Sequence, residues 1–267
     1  MNCIKNKLSI LILFSLLCLF SSCEKEVMVD LRNAPPILVI EGVVQEHYQA
    51  RVRLTLSKGF YEDNEFPPLS DARIIISDDA GNEERLELDN SGWYVAQNMI
   101  GVIGRTYNLT VEYENEIYTA SSKMPPCVKI DSIGLIKIPL SDIPFPILYF
   151  TDPQGEENNY YKNLIYVNGK RVKKNNETTS AEYVDGYPIK RIIPVMTGQM
   201  EDKDEELKPG DEVMIELYSI DKGTFLFFET MGQIDNSLNN PTTNITGGAL
   251  GYFGAYPMDT QSMIVDW

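Results

Sequence analysis

The chain has 267 residues, with 39 acidic against 23 basic side chains and a formal charge of −16. An acidic excess of that size repels nucleic-acid phosphates and anionic headgroups, which excludes both as electrostatic partners. His47 is the single histidine, so multi-histidine metal centres and paired-histidine acid–base chemistry are excluded too, while the length suffices for one large domain or two ordinary ones.

Lys5 and Lys7 precede a leucine-rich, uncharged run from Leu8 to Phe20, and Ser21 and Ser22 lead into Cys23. This is the order of a secretory signal peptide, and thirteen residues fall short of the roughly 20 that a membrane-spanning helix needs. The segment LFSSC resembles a bacterial lipoprotein box, with Phe20 where leucine is usual. The resemblance implies cleavage after residue 22 and acylation, palmitate included, of Cys23. Each buried CH₂ contributes about 0.8 kcal/mol, so several acyl chains amount to a permanent anchor. Glu24 and Glu26 then open a polar leader to Pro36. Acidic residues in that place resemble the signal by which Bacteroidota send lipoproteins to the outer face of the outer membrane. Cys3 and Cys18 leave with the signal and lipid occupies Cys23, so Cys127 remains alone and no intramolecular disulfide is expected.

From Ile37 to Ala120 short alternating segments divided by turn residues predict an antiparallel β-sandwich. Ile37 to Val44 opens it. Val52, Leu54 and Leu56 alternate with Arg51, Arg53 and Thr55, and Arg73 to Ser77 is a fuller apolar run and hence more central. Asp78 to Asn82 is turn chemistry into Arg85 to Leu88, and Asp89 to Gly92 turns into Trp93, Tyr94 and Val95. Tyr107 to Tyr113 and Glu116 to Ala120 flank a turn at Glu114-Asn115. The stretches PLSDARIIISDDAGN, DNSGWYV and GRTYNLTVEYENEIY resemble the carboxypeptidase-regulatory or transthyretin-like sandwich, whose domains are usually non-catalytic spacers or binding modules.

Met124-Pro125-Pro126 predicts a domain boundary, because two prolines stop both ladder bonding and helix. Strand signals resume at Asp131 to Ile138, Phe145 to Thr151, Asn159 to Val167, Tyr187 to Val195 and Glu212 to Ser219. Asn168-Gly169 predicts a tight hairpin into Lys170 to Lys173, and Lys208 to Asp211 another turn. One helix is expected over about 222–236, capped by Asp221, with Phe225, Phe228 and Met231 as its apolar stripe. The expected organisation is a signal peptide (1–22), a lipidated tether (23–36), a β-sandwich (37–124) and a second β-rich domain with the helix (127–267).

The ending NITGGALGYFGAY, with Thr151-Asp152-Pro153 and Asn159-Tyr160-Tyr161 upstream, is similar to the signature of a Bacteroidota lipoprotein family of unknown function. Members are commonly encoded beside TonB-dependent outer-membrane receptors. The resemblance implies location on the outer membrane, facing the exterior, as a non-catalytic accessory or binding subunit of a TonB-dependent uptake system. The alternative is a structural or adhesive envelope lipoprotein with no transporter partner.

The search for chemistry yields no catalytic residues and no cofactor or metal site. His47 falls in a turn-like stretch, and no G-x-S-x-G elbow is present. Gly247, Gly248, Gly251 and Gly254 punctuate strand residues and open no helix, which points to bends and close backbone approach in place of a phosphate cradle. Tyr252, Phe253 and Tyr256 are a candidate aromatic ligand surface. The runs Glu62 to Glu65 and Glu201 to Glu206 offer calcium-type oxygens, but neither has the EF-hand spacing, and solvated loops are expected. Asp131-Ser132-Ile133 resembles the site at which Bacteroidota O-glycosylate exported proteins, which makes Ser132 a candidate acceptor.

Overall fold

A computed structural model describes residues 35–59, 63, 65–137, 139, 144–155, 159–172, 177–193, 195, 207–234 and 239–267. Cys23, most of the tether and the 201–206 run lie outside the described residues, as do Glu62 and Asn64.

The first half contains β1 (Leu38–Gln45), β2 (Gln49–Leu56), β3 (Arg73–Asp78), β4 (Glu83–Arg85), β5 (Glu87–Leu88), β6 (Tyr94–Ile100), β7 (Thr106–Tyr113) and β8 (Glu116–Lys123). One sheet runs β1-β2-β6-β5 and its partner β4-β3-β7-β8. Period-two alternation sets the inner faces: Ile40, Val52 and Leu54 from one sheet meet Ile74, Ile76, Leu109 and Val111 from the other in a single core. The apolar run at β3 lies inside its sheet, between β4 and β7. The turn at Glu114-Asn115 closes the β7–β8 hairpin with both residues at positive φ, 49° and 66°, the mirror-image turn that matches strand twist.

The chain crosses Pro125-Pro126 into β9 (Ile130–Ile136), β10 (Phe145–Thr151), β11 (Tyr160–Val167), β12 (Lys170–Val172), β13 (Thr178–Ser180), β14 (Pro188–Ile192), β15 (Glu212–Ile220), α1 (Lys222–Met231), β16 (Leu250–Tyr256) and β17 (Met258–Ile264). A three-stranded sheet, β14-β10-β9, packs on β12-β11-β15-β17, with β13 also paired to β11. Their shared core includes Leu148, Phe150, Tyr161, Ile165, Ile215 and Leu217. The protein is thus mainly β, two sandwiches with one described helix near the C-terminus.

Two features depart from the expected layout. β16, expected within the 127–267 unit, pairs in parallel with β1, from Val39 opposite Leu250 to Gln45 opposite Tyr256. The first sandwich is therefore completed by a strand from the far end of the chain, and Pro36–Trp267 forms one compact unit. After Pro257 the chain enters β17 in the other sandwich, beside β15; proline has no N–H with which to continue the first ladder. The second departure is in the helix, which stops at Met231 before a Gly232 cap. Its buried residues are Thr224 and Phe227, and Met231 is 47% exposed. The expected stripe thus lies one residue off the deepest line, although Phe225 and Phe228 still pack on neighbours.

Candidate functional site

β11 and β15 set up the most chemically loaded region among the described residues. Their register puts Lys162 opposite Tyr218, and β13 puts Thr178 on the other side of Lys162. Glu216 lies two residues from Tyr218 on the same sheet face. Its carboxylate accepts hydrogen bonds from Tyr218 at 2.6 Å and Tyr166 at 3.0 Å. Asp221 follows β15 directly and caps α1, accepting from the Thr224 N–H at 2.7 Å. That cap fixes where the helix aromatics fall. Phe225 packs on Tyr160 with ring centroids 4.7 Å apart, and the Lys162 ammonium lies 3.4 Å from the Phe228 ring centroid.

β16 supplies the facing wall. Tyr252 stacks on Phe227 at 4.8 Å and meets Phe228 edge-on at the same distance, while Tyr256 meets Tyr218 at 5.4 Å. The candidate ligand surface of Tyr252, Phe253 and Tyr256 is therefore not one surface. Strand alternation sends Phe253 to the opposite face, fully buried in the first core, and the two tyrosines pack along the seam between the sandwiches. The three aromatics are neighbours in sequence, and only the strand alternation separates their directions.

Close approach explains the glycines in the same stretch. Gly251 has φ +96°, and a Cβ there would lie 2.0 Å from the Ile40 carbonyl oxygen; at Gly254 it would lie 2.7 Å from Thr224 Oγ1. Asn244 acts as a surrogate strand, donating to the Phe253 carbonyl at 2.7 Å and accepting the Phe253 N–H at 2.9 Å. Ser122 joins three elements: its hydroxyl bonds the Asp221 carboxylate and accepts the Ala255 N–H at 2.8 Å.

Burial governs the electrostatics. It lowers the Lys162 amine to about 8 against the pull of Glu177 and Glu216, and Lys162 makes no ion pair among the described residues. Burial likewise pushes Tyr256 up to about 12 and raises Tyr252 and Tyr218 well above the ordinary phenol value, so these phenols stay protonated as donors. Three acids of the region have partners. Glu216 holds two phenols, Glu229 holds the Thr178 hydroxyl, and Glu177 holds Arg171 at 2.9 Å. These contacts brace β11, β13, β15 and α1, and the Asp221–Ser122 bond ties them to β8 of the first sandwich. Lys162, Glu216 and Tyr218 are absent from the sequence-derived site because they carry no motif; only strand register brings them together.

The remaining candidates are scattered. His47 sits at φ +65° in the β1–β2 turn with its side chain 82% exposed. Cys127 is half-buried, and burial raises its thiol pKa. Ser132 is exposed on β9 opposite Tyr149, and neighbouring Asp131 accepts from the Thr151 hydroxyl at 2.8 Å. Among the described residues no helix is long and apolar enough to cross a membrane.

Fold and seam together define a mainly β protein of two sandwiches clasped by one returning strand and one helix. Residues 24–262 match the family described as Domain of unknown function (DUF4249), and the chain belongs to that family. No curated protein matches the chain.

Proposed function

We propose that this protein is a surface-exposed outer-membrane lipoprotein, anchored through Cys23, that works as a non-catalytic accessory or binding subunit of a TonB-dependent uptake system. The observation that carries the reading is the order of the first 26 residues: two lysines, an apolar run, two serines, a cysteine and an acidic leader. The seam supports it, because Glu216, Glu229 and Glu177 hold phenols, a hydroxyl and a guanidinium within the second sandwich and its helix, and Asp221 ties that helix to Ser122 of the first, so these acids are engaged in structure. Metabolic labelling with an alkyne palmitate tests the anchor. The native chain takes up label and Cys23→Ala does not; equal labelling of the two sinks the reading. Recovery of a TonB-dependent receptor with the chain from mild detergent tests the partnership, and a labelled, surface-exposed chain that brings down none favours the adhesive alternative.

A further inference from the structure

One end of the first sandwich carries a cleft of about 420 Å³, within the range of small-ligand sites. Its back wall arises from a bulge. On β6 Val95 and Ile100 pair with Arg51 and Gln49 of β2, so five steps of β6 oppose two of β2. The freed N–H groups of Gln97, Asn98 and Met99 converge on the Glu84 carboxylate at 2.5 to 3.1 Å. Arg105 forms another wall. Its Nη1 donates to Asp78 Oδ2 at 2.7 Å, and Asp78 is 0% exposed at the side chain while Arg105 remains 34% exposed. Asn82 donates its amide to both Asp78 oxygens, at 3.0 and 2.8 Å, which leaves its carbonyl oxygen as an acceptor. The Asn98 side-chain amide makes no hydrogen bond among the described residues and lines the cleft beside exposed Glu83.

The charges in this lining are largely matched. Arg105 is neutralised by buried Asp78, and Glu84 is held by three backbone dipoles. What faces the cleft is a guanidinium edge and the Asn82 amide, both held by Asp78, with the Asn98 amide and the Glu83 carboxylate exposed beside them, next to an apolar wall from Ile100, which is 44% exposed. A phosphate or carboxylate ligand would meet Glu83, Glu84 and a chain of net charge −16. A ligand whose neighbouring hydroxyls each donate and accept, and whose C–H face can lie on Ile100, matches both kinds of surface.

We propose that this cleft binds a neutral sugar of one or two rings. The site depends on neither the anchor nor a transporter, so it and the accessory role stand or fall separately.

The test uses the full chain purified in a zwitterionic detergent without a sugar headgroup. Maltose, cellobiose, lactose and xylobiose are titrated by calorimetry, with inorganic phosphate as competitor. At least one disaccharide binds, and Asn98→Ala and Glu83→Gln each weaken that binding about fivefold, the loss of one hydrogen bond. Both side chains are exposed, so the melting temperature stays unchanged. Binding by none of the four, binding unaffected by both substitutions, or displacement of the sugar by phosphate overturns the assignment.

Discussion

Single side chains hold this molecule at points where two elements would otherwise leave backbone groups unpaired. Ser122 is 2% exposed and links β8, the α1 cap and β16 through one hydroxyl. Ser122→Ala strands the buried Ala255 N–H and removes a partner from Asp221, costing about 1–3 kcal/mol; urea denaturation measures it. Asp78 is a second such point. Burial pushes its carboxyl up, but hydrogen bonds from Asn82 and Ala80 and the Arg105 charge outweigh it and hold the pKa below the usual range. Its stabilisation is complete above the unfolded value of about 3.9 and is lost as pH falls through the lower folded value. Asp78→Ala costs about 2–4 kcal/mol at pH 7, the figure tempered by the exposure of Arg105. That difference from the native chain shrinks on titration below pH ~4.

Lys162 also has a lowered folded pKa, but from burial that disfavours its charge. Its folded pKa of about 8 lies below the unfolded value of about 10.4. Between these values the unfolded chain binds more protons, so stability rises with pH. Denaturation curves at pH ~7 and ~9.5 show that rise in the native chain and a smaller one in Lys162→Met; equal slopes contradict the buried amine.

At the scale of elements, β16 matters most, because its parallel pairing to β1 turns a chain of two sandwiches into one closed body. Gly251→Ala places a Cβ against the Ile40 carbonyl at a positive φ and costs at least about 3 kcal/mol. Hydrogen exchange detects it as lost protection in β1 and β16 together. Local signals in the sequence account for most of the other strands: alternation at Val52 and Leu54, the Asn168-Gly169 turn with φ +50° and +75°, and the glycine-punctuated strand at 250–256. They are silent on where β16 docks, since parallel pairing of distant segments leaves no turn between them. β17 escaped for a different reason. Its half-buried positions include Asp259 and Gln261, which bond the Ile130 N–H and carbonyl at 2.8 Å each, so its inward face reads as polar. The helix was legible from Asp221 and its phenylalanines, but its end at Gly232 and the deeper line of Thr224 and Phe227 depend on packing against β16. The candidate site was the least legible part. Lys162, Glu216 and Tyr218 meet only through register, and the cleft exists because a bulge in β6 turned three N–H groups toward Glu84.

For the whole molecule the proposed function requires an acidic β body held by an anchor at Cys23. The leader from Glu24 to Pro36 spans at most about 45 Å when extended, so under the proposed function the body would work close to the membrane and meet partners that lie in it. On the proposed function, Cys23→Ala releases the chain from the membrane fraction while its melting temperature is unchanged, because Cys23 precedes the compact unit that begins at Pro36. The most direct test of the central claim is crosslinking in living cells followed by mass spectrometry of the recovered chain. Linked peptides from a TonB-dependent receptor, formed by a cell-impermeant reagent, are the predicted result. Links only within the chain or to unrelated envelope proteins, with the receptor present and the chain at the surface, would contradict it.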